Sequence, residues 1–191
     1  MKKTYRVIIG IAALLIITCC LLLAFLPLLD SSPGLPVGNC SADALLLDLS
    51  AFPSGTTMSS GTDFEDWATV SASHYFFNAP ENIEVYHAVE YYNTPLLAWM
   101  IYAYNHSIFT QTQYNTPWTK PSEITYSSQI AGQYAFACSN DTNFGYRCML
   151  MARYGRYFVF MRAHLSEGFT VQDIEPLLKR IDASMLPCID K

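Results

Sequence analysis

The hydrophobic pattern of the chain opens with an apolar run without a charged residue from Val7 to Leu29. A helix of this length, at about 1.5 Å per residue, spans a hydrocarbon layer of roughly 30 Å. The basic residues of the leader all precede the run: Lys2, Lys3 and Arg6. Basic residues are retained on the cytoplasmic side of a membrane. The pattern therefore predicts a single-pass cell-membrane protein with a cytoplasmic N-terminus at 1–6, a transmembrane signal-anchor helix at 7–29 and an extracytoplasmic remainder.

Two other interpretations of the run stay open. A cleaved signal peptide usually has an apolar region of only about 7 to 15 residues, so the length of the run disfavours it. Lipidation at Cys19 or Cys20 is the second alternative. The preceding Ile16, Ile17 and Thr18 differ from the small residues that such a processing site requires, which disfavours lipidation as well.

A short tether and one exported domain follow the run. Residues 30–39 are rich in proline, glycine and serine, whereas residues 40–191 carry alternating and helical hydrophobic periods. Residues 67–77 and 83–92 are predicted strands that flank a turn-forming cluster at 78–82. We therefore expect a β-hairpin in the first half of the domain.

Alternation within the second of these strands assigns its residues to two faces. His87 lies on the apolar face with Val85 and Val89, while Glu84 and Glu90 lie on the opposite face. A lone histidine on an apolar face is more often a hydrogen-bonded core residue than a ligand or catalyst. We expect that role for His87 and solvated positions for the two glutamates.

The strongest strand signal lies between residues 129 and 165. A strand is predicted around 133–139, and two aromatic and apolar runs at 146–154 and 157–165 meet at Gly155-Arg156. Aromatic and β-branched residues favour strands, so these two runs predict an antiparallel hairpin. We expect them to be the central strands of the sheet.

Helical signals occur before and between the strands. Residues 41–49 predict a short helix that ends at a turn containing Pro53 and Gly55. A second helix is predicted to begin at Pro95 with Thr94 as its N-cap. Its predicted core-facing stripe, by helical spacing, is Leu97, Met100, Ile101, Tyr104 and Ile108.

A third helix is predicted near the C-terminus. Its apolar residues recur at amphipathic spacing from Ile174 to Met185. Pro176 would break a helix that began at Thr170, so we expect Asp173 to be the N-cap. Together the elements predict an α+β domain, an antiparallel β-sheet with helices packed on one side.

The charge of the exported part restricts its partners. It contains all 16 acidic residues of the chain against eight lysines and arginines. Nucleic acids and anionic lipid headgroups both require a positive patch, so neither is expected as a partner. The expected partners are the membrane, through residues 7–29, and a protein or small molecule.

Four cysteines in the exported part predict disulfides. An even number in an oxidising compartment favours bridges, and three pairings are available. We favour Cys138 with Cys148, which flank a turn-like segment, and Cys40 with Cys188, which would link the start of the domain to its end. No pair has the C-x-x-C spacing of a zinc site, so no metal or other cofactor is expected.

Three side chains are the candidate ligand-binding residues. Arg153 and Arg162 lie on predicted strands with apolar neighbours, and from one face they would bind an anionic group in fork geometry. Ion pairing with surplus carboxylates is the simpler explanation for both. Trp118 lies in a proline-rich loop, where it either covers the core or contacts a ligand, and burial favours the first role.

Catalytic motifs are missing from the sequence. It contains no G-x-S-x-G, H-E-x-x-H, Walker or G-x-G-x-x-G pattern. Carboxylates such as Asp63 with Glu65, or Glu84 with Glu90, would serve acid–base chemistry only if the fold paired them in a cleft. An enzyme is therefore the less favoured interpretation.

Several short motifs carry a resemblance to a known class. The segment Leu45-Leu-Leu-Asp-Leu-Ser-Ala-Phe-Pro-Ser-Gly55 resembles the opening of small extracytoplasmic domains on bacterial lipoproteins and sensor kinases. Ala135-Phe-Ala-Cys138, residues 148–157 and the terminal helix are similar to uncharacterised bacterial membrane-anchored proteins of that type. The sequence departs from the pattern at Phe52, where leucine is usual, and contains no kinase domain. The resemblance implies a sensor or accessory domain and supplies no catalytic residue.

These observations lead to two functional expectations. The first is a membrane-tethered extracytoplasmic interaction or sensing module for an unknown ligand. The alternative is a cell-envelope hydrolase or transferase that uses dispersed carboxylates.

Overall fold

The computed structural model describes residues 38–62, 67–110, 116–142 and 145–189. All the described residues belong to one compact unit. The predicted anchor at 7–29 and the tether up to residue 37 lie outside the described residues. Of the helices in the described ranges, none has the length and apolarity needed to cross a bilayer.

An antiparallel β-sheet organises the domain. Within the described residues it has six strands in the order β1-β2-β3-β6-β5-β4. The strands are β1 (Thr57–Gly61), β2 (Val70–Asn78), β3 (Ile83–Tyr91), β4 (Gln133–Asp141), β5 (Gly145–Tyr154) and β6 (Tyr157–His164). The α+β class and both predicted hairpins, β2 with β3 and β5 with β6, are therefore confirmed.

The positions of two strands differ from expectation. β3 and β6 pair at the centre of the sheet, so β5 lies between β6 and the edge strand β4 rather than at the centre. β1 was not predicted. Its five residues are exposed and mostly polar, so they carry no alternating pattern.

Two α-helices accompany the sheet in the described ranges: α1 (Pro95–His106) and α2 (Val171–Met185). α1 begins as predicted, because the Thr94 side-chain oxygen accepts a hydrogen bond from the Leu97 amide at 3.2 Å. α2 begins three residues earlier than predicted, and Pro176 lies inside it. The Asp173 carboxylate accepts hydrogen bonds from the Thr170 amide and hydroxyl, which stabilises the additional turn.

Shorter 3₁₀ turns complete the structure. The expected short helix at 41–49 is replaced by separate turns at Asp43–Leu45 and Leu49–Ala51. Further turns cover Gly38–Cys40, Ser107–Thr110 and Leu186–Cys188. Gly55 has a positive φ of 88°, which glycine adopts without strain, and it completes the turn that leads into β1.

The helices lie on opposite faces of the sheet, which corrects the expectation that they share one side. The α2 face consists of the residues that pack with α2 and the N-terminal turns. They include Phe76, Val85, Val89, Leu150, Val159, Met161, Ile174, Leu177 and Ile181. On the α1 face, Ala98 packs with Met149, Met151 and Phe158. Because side chains alternate along a strand, β5 and β6 contribute apolar residues to both faces, and each face needs a covering helix.

Both predicted disulfides are present. Cys138 and Cys148 lie directly opposite each other on β4 and β5, with 4.0 Å between their Cα atoms. Cys40 is bonded to Cys188, with 5.5 Å between the Cα atoms. Disulfides persist in oxidising compartments, which is consistent with an extracytoplasmic domain.

Candidate functional site

The floor of the candidate site is formed by β3 and β6 on the α1 face. Glu90 lies opposite Phe158, and Ala88 lies opposite Phe160. Tyr86 is the next residue of β3 on this face, and its ring lies 6.0 Å from that of Phe160, centroid to centroid. Because Ala88 is the smallest of these side chains, it leaves a depression between Glu90 and Tyr86.

The roof of the site comes from the end of α1 and the turn after it. Asn105 and Ile108 lie over the depression and line a partly open cavity of about 170 Å³. The Asn105 amide nitrogen donates to the Ile101 carbonyl oxygen at 3.0 Å, which fixes this side chain against its own helix. We call this space the helix–sheet cavity; its lining residues are Tyr86, Ala88, Glu90, Asn105, Ile108, Phe158 and Phe160.

Glu90 is the charged residue of the cavity. Only 7% of the residue is exposed, so the expectation that it is solvated is wrong. The reason is that α1 crosses the face on which Glu90 lies. The hydroxyl of the fully buried Tyr92 donates a hydrogen bond to the Glu90 carboxylate at 2.5 Å. Buried carboxylates require hydrogen bonds to offset lost hydration, and Tyr92 supplies one.

The three candidate ligand-binding residues do not form one site. Arg153 and Arg162 share the α1 face, but Arg153 lies opposite Phe158, whereas Arg162 lies opposite Met149. This is a separation of four residues along the strands, or about 13 Å. Arg153 donates to the Gln133 side-chain oxygen and to the Gly155 carbonyl at 2.7 Å. These bonds hold the Arg153 side chain beside Gln133 and Gly155, at the end of the strands away from Arg162.

Trp118 covers part of the α1 face. It packs edge-on against Phe109, with 5.3 Å between ring centroids, and the Arg147 guanidinium lies 5.6 Å from its ring centroid. It also belongs to the apolar cluster around Met149 and Phe158. These contacts agree with the predicted covering role.

A second cavity lies beside the edge strand β4. It measures about 330 Å³ and is larger than the helix–sheet cavity. Its polar residues include Lys120, whose ammonium group already donates to the Tyr126 carbonyl at 2.9 Å, and the exposed His106. A buried polar group in the lining of a cavity is a better sign of ligand recognition than the volume of the cavity, and Glu90 is such a group in the smaller cavity.

A polar cluster on the α2 face has a structural role. Asp182 is buried and accepts hydrogen bonds from the hydroxyls of Tyr126, at 2.5 Å, and Tyr154. Burial, together with the bond to Asp182, raises the pKa of both tyrosines, so they remain neutral donors. The cluster attaches the segment that leads into β4 to α2.

Glu175 strengthens the same attachment. Its carboxylate accepts from the Thr125 amide at 2.9 Å and the Tyr126 amide at 3.2 Å. Lys179 lies 2.8 Å from it. The Lys179 hydrogen bond, followed by those from the two amides, lowers the pKa of Glu175 to about 2. None of these four residues lines either of the two cavities described above.

Acid–base catalysis would require the two carboxylates of a pair to lie close together in a cleft, and the described pair does not. Glu84 and Glu90 lie on the same face of β3, six residues or about 20 Å apart. Paired glycosidase carboxylates are only about 5 to 9.5 Å apart. Asp63 and Glu65 lie outside the described residues. Within the described ranges, no group of three or more His, Cys, Asp or Glu side chains is arranged to hold a metal ion.

Comparisons with known proteins add no family to this description. No protein-family model matches the sequence, and no curated protein matches it. The candidate site therefore depends on the geometry of the chain alone.

The sequence contained a partial signal for the cavity. Alternation places Glu90, Ala88 and Tyr86 on one face of β3, which is what the structure shows. The helix that covers this face could not be assigned from the sequence, because the sheet face on which a helix packs depends on contacts between segments remote in sequence.

Proposed function

We propose that this protein is a membrane-tethered extracytoplasmic sensing module that binds a small ligand in the helix–sheet cavity. The observation that carries the proposal is the buried Glu90 carboxyl group, which lines a partly open cavity between α1 and the sheet. Small-molecule sites are typically apolar cavities with a few polar groups that orient the ligand. The lining of this cavity has that composition.

The position of α1 supports a sensing role. The helix roofs the cavity through Asn105, while Trp99, Met100 and Tyr104 are exposed on its other side. Exposed apolar residues that cluster on one element are typical of interaction surfaces. A ligand that favours one position of α1 would also alter this outer surface, so the helix connects a binding site to a surface that a partner can contact.

The exposed side of α1 includes residues that were predicted to face the core. Met100 and Tyr104 are 44% and 75% exposed, whereas Ala98 is fully buried. The helix therefore packs through a side centred on Ala98 and leaves two of the five predicted core residues in solvent. Their exposure is what makes a partner on this side of α1 part of the proposal.

The membrane tether and the compartment rest on the apolar run at 7–29 and on the two disulfides. Both are tested in intact cells that express the full-length chain. We expect alkaline carbonate to leave the chain in the membrane fraction and added protease to digest the domain from outside. Extraction by carbonate would contradict the tether, and protection from protease in unlysed cells would contradict the orientation.

Ligand binding is tested with a cavity-filling variant. Ala88→Leu places three further carbon atoms in the cavity, and Ala103→Leu makes the same change on the exposed side of α1. Thermal unfolding of the full-length protein in dodecyl maltoside is followed with a chemically diverse set of small molecules. We expect at least one compound to raise the midpoint of the wild type and of Ala103→Leu, but not that of Ala88→Leu.

Two results would overturn the proposal. A compound that stabilises Ala88→Leu as much as the wild type binds elsewhere. A diverse set that stabilises none of the three proteins would show that the cavity does not serve as a ligand site.

A further inference from the structure

We infer that the outer edge of β4 is a docking site for an extended peptide segment of another protein, which adds to the sheet as a further strand. The site is the second cavity described above, of about 330 Å³, which we call the β4-edge groove. It shares no described lining residue with the helix–sheet cavity. The inference therefore goes beyond the proposed function and does not depend on it.

The chain itself pairs with one half of this edge. Thr119 and Cys138 exchange two backbone hydrogen bonds, at 3.0 and 2.8 Å, in an antiparallel arrangement. Backbone N–H and C=O groups alternate between the two sides of a strand. Those of Phe136 and Tyr134 therefore point to the same outer side as those of Cys138.

The paired segment leaves the edge before it reaches these groups. Pro121 follows directly after Lys120 and has no N–H, and its carbonyl accepts from the Ile124 amide at 3.2 Å in a turn. Ile124 is buried in the core on the α2 face. Within the part of the chain that the structure describes, no segment pairs with the outer side of Phe136 or Tyr134. The departure leaves one strand position open beside β4.

The lining of the groove matches that open position. It contains residues 134–137 of β4, Lys120 and Ser127 from the segment that turns away, and His106 and Phe109 from the end of α1 and the turn after it. Free backbone groups at a sheet edge are a template for another strand, and strand addition is a recurring mode of peptide recognition. The other edge strand, β1, is exposed throughout and lines neither cavity.

The small side chains of β4 indicate the chemistry of the partner. Ala135 lies opposite Met151, which packs on the α1 face, and Phe109 lines the groove near it. Directly opposite residues of paired strands place their side chains on the same face, so a partner residue opposite Ala135 also projects to the α1 face. A cavity of roughly 150 Å³ holds a benzene molecule. The groove is about twice that size and accommodates one large apolar side chain with its backbone.

The test uses the peptide acetyl-Thr-Phe-Thr-Val-Thr, labelled with fluorescein at its C-terminal end, and two relatives with leucine or alanine in place of phenylalanine. The first threonine is placed opposite Phe136, because Lys120 occupies the position before it, and the phenylalanine then lies opposite Ala135. Binding to the full-length protein in dodecyl maltoside is followed by fluorescence anisotropy. We expect the phenylalanine and leucine peptides to bind several-fold more tightly than the alanine peptide, because only they fill the apolar space.

N-methylation of the peptide separates backbone pairing from side-chain contact. In this register the N–H groups of the first two threonines face β4, whereas those of phenylalanine and valine face away. Methylation of the two threonine nitrogens is expected to weaken binding roughly tenfold or more, because two hydrogen bonds are lost. The peptide methylated on phenylalanine and valine is the matched control and should bind like the unmodified one.

Variants of the protein assign binding to the groove. Ala135→Leu fills the α1-face side of the groove and is expected to weaken the phenylalanine peptide roughly tenfold or more. Tyr134→Pro removes one outward N–H, a change that edge strands tolerate. Tyr134→Val removes the same ring but keeps the N–H, so it is the matched control. We expect Tyr134→Pro to bind the peptide several-fold more weakly than Tyr134→Val does.

Several results would overturn the inference. Equal binding of the two methylated peptides, or equal binding by Tyr134→Pro and Tyr134→Val, would rule out strand addition. Failure of all three parent peptides to bind the folded wild type would also contradict it. Self-association of the wild type that Ala135→Leu abolishes would assign the edge to a second copy of this chain.

One further variant keeps this inference separate from the proposed function. Ala88→Leu fills the helix–sheet cavity and is expected to leave peptide binding unchanged. Peptide binding that is lost in Ala88→Leu would place the peptide in that cavity and contradict docking at β4. Failure of small molecules to bind the helix–sheet cavity would leave the result with the peptides unaffected.

Discussion

At the scale of single residues, two histidines attach the N-terminal segment to the sheet. His87 and His74 lie opposite each other on β3 and β2. The Leu47 amide donates to His87 Nδ1 at 3.1 Å, and the Leu47 carbonyl accepts from His74 Nδ1 at 2.8 Å. His87 Nδ1 must therefore be unprotonated, with its hydrogen on Nε2. The prediction that His87 is a hydrogen-bonded core residue is confirmed.

This arrangement makes stability depend on pH. Burial, and secondarily the charge of His74, lowers the pKa of His87 from 6.5 to about 3. The unfolded chain binds a proton at His87 below about pH 6.5, whereas the folded chain does so only near pH 3. The contribution of neutral His87 is thus complete above pH 6.5 and is lost as the pH falls toward 3. We expect the free energy of unfolding to drop by about 2 kcal/mol from this residue between pH 7 and pH 5.

Urea unfolding of the wild type and of His87→Leu at several pH values between 7.5 and 5 measures this contribution. The variant loses the hydrogen bond from Leu47 and is expected to be less stable at pH 7, with a shallower pH dependence. If the free energy of unfolding changed equally with pH in both proteins, the acid sensitivity would arise from residues other than His87.

The Asp182 cluster gives a second prediction at this scale. Tyr154→Phe removes one of the hydroxyl donors to a buried carboxylate and leaves the packing of the ring in place. An unsatisfied buried acceptor costs about 1 to 3 kcal/mol, so the free energy of unfolding is expected to fall by that amount. Tyr146→Phe is the control, because Tyr146 is 40% exposed and should change stability little. If both variants lost the same free energy of unfolding, the hydrogen bond from Tyr154 to Asp182 would make no specific contribution to stability.

At the scale of elements, α2 contains an unfavourable residue. Pro176 is exposed and lies in the second turn, where it cannot donate the usual hydrogen bond to residue 172. We expect Pro176→Ala to raise the free energy of unfolding by about 1 to 2 kcal/mol. This is less than the roughly 3 kcal/mol seen in helix interiors, because the unfolded chain also becomes more flexible. Urea unfolding measures the change.

The matched control for this helix is Ala183→Pro. Ala183 is exposed in the last turns of α2, where a proline should be destabilising. A decrease in stability on Pro176→Ala would show that the ring of Pro176 makes a contact worth more than the missing hydrogen bond.

The elements also show what sequence patterns can and cannot predict. β3, β5 and β6 were predictable because alternation and aromatic content agree over long runs. The predicted start of α2 was wrong because it treated Pro176 as a helix breaker. The hydrogen bonds between Thr170 and Asp173 stabilise the first turn in spite of that proline. β1 is short, polar and exposed, and it forms only by pairing with β2.

The candidate site was less predictable than the fold. Alternation along β3 places Glu90 and Glu84 on the same face of the sheet. In the structure α1 covers Glu90, whereas the Glu84 carboxylate lies 3.8 Å from the His164 ring nitrogen. Arg153 and Arg162 were correctly placed on one face, but their distance depends on the register of β5 against β6. Register and helix placement are set by packing between segments remote in sequence, which a local pattern does not contain.

At the scale of the whole domain, the two disulfides constrain very different lengths of chain. Cys138 and Cys148 are 10 residues apart and join neighbouring strands that the sheet already pairs. Cys40 and Cys188 are 148 residues apart and link the N-terminal turn to the turn that follows α2. The Tyr157 hydroxyl also donates to the Cys40 carbonyl at 2.9 Å, so the same turn is attached to β6.

The difference in loop length predicts which of the two disulfides contributes more to stability. In the chain-entropy treatment, the long loop contributes about 5 kcal/mol and the short loop about 2.7 kcal/mol. We expect the double variant Cys40→Ala with Cys188→Ala to lose more free energy of unfolding than Cys138→Ala with Cys148→Ala, measured by urea unfolding without reductant. Cys138 and Cys148 are also almost fully buried, so their replacement adds a packing loss that works against the expected order. A larger loss for the Cys138–Cys148 pair would therefore show that packing between β4 and β5, rather than restriction of the unfolded chain, dominates the effect of these bridges.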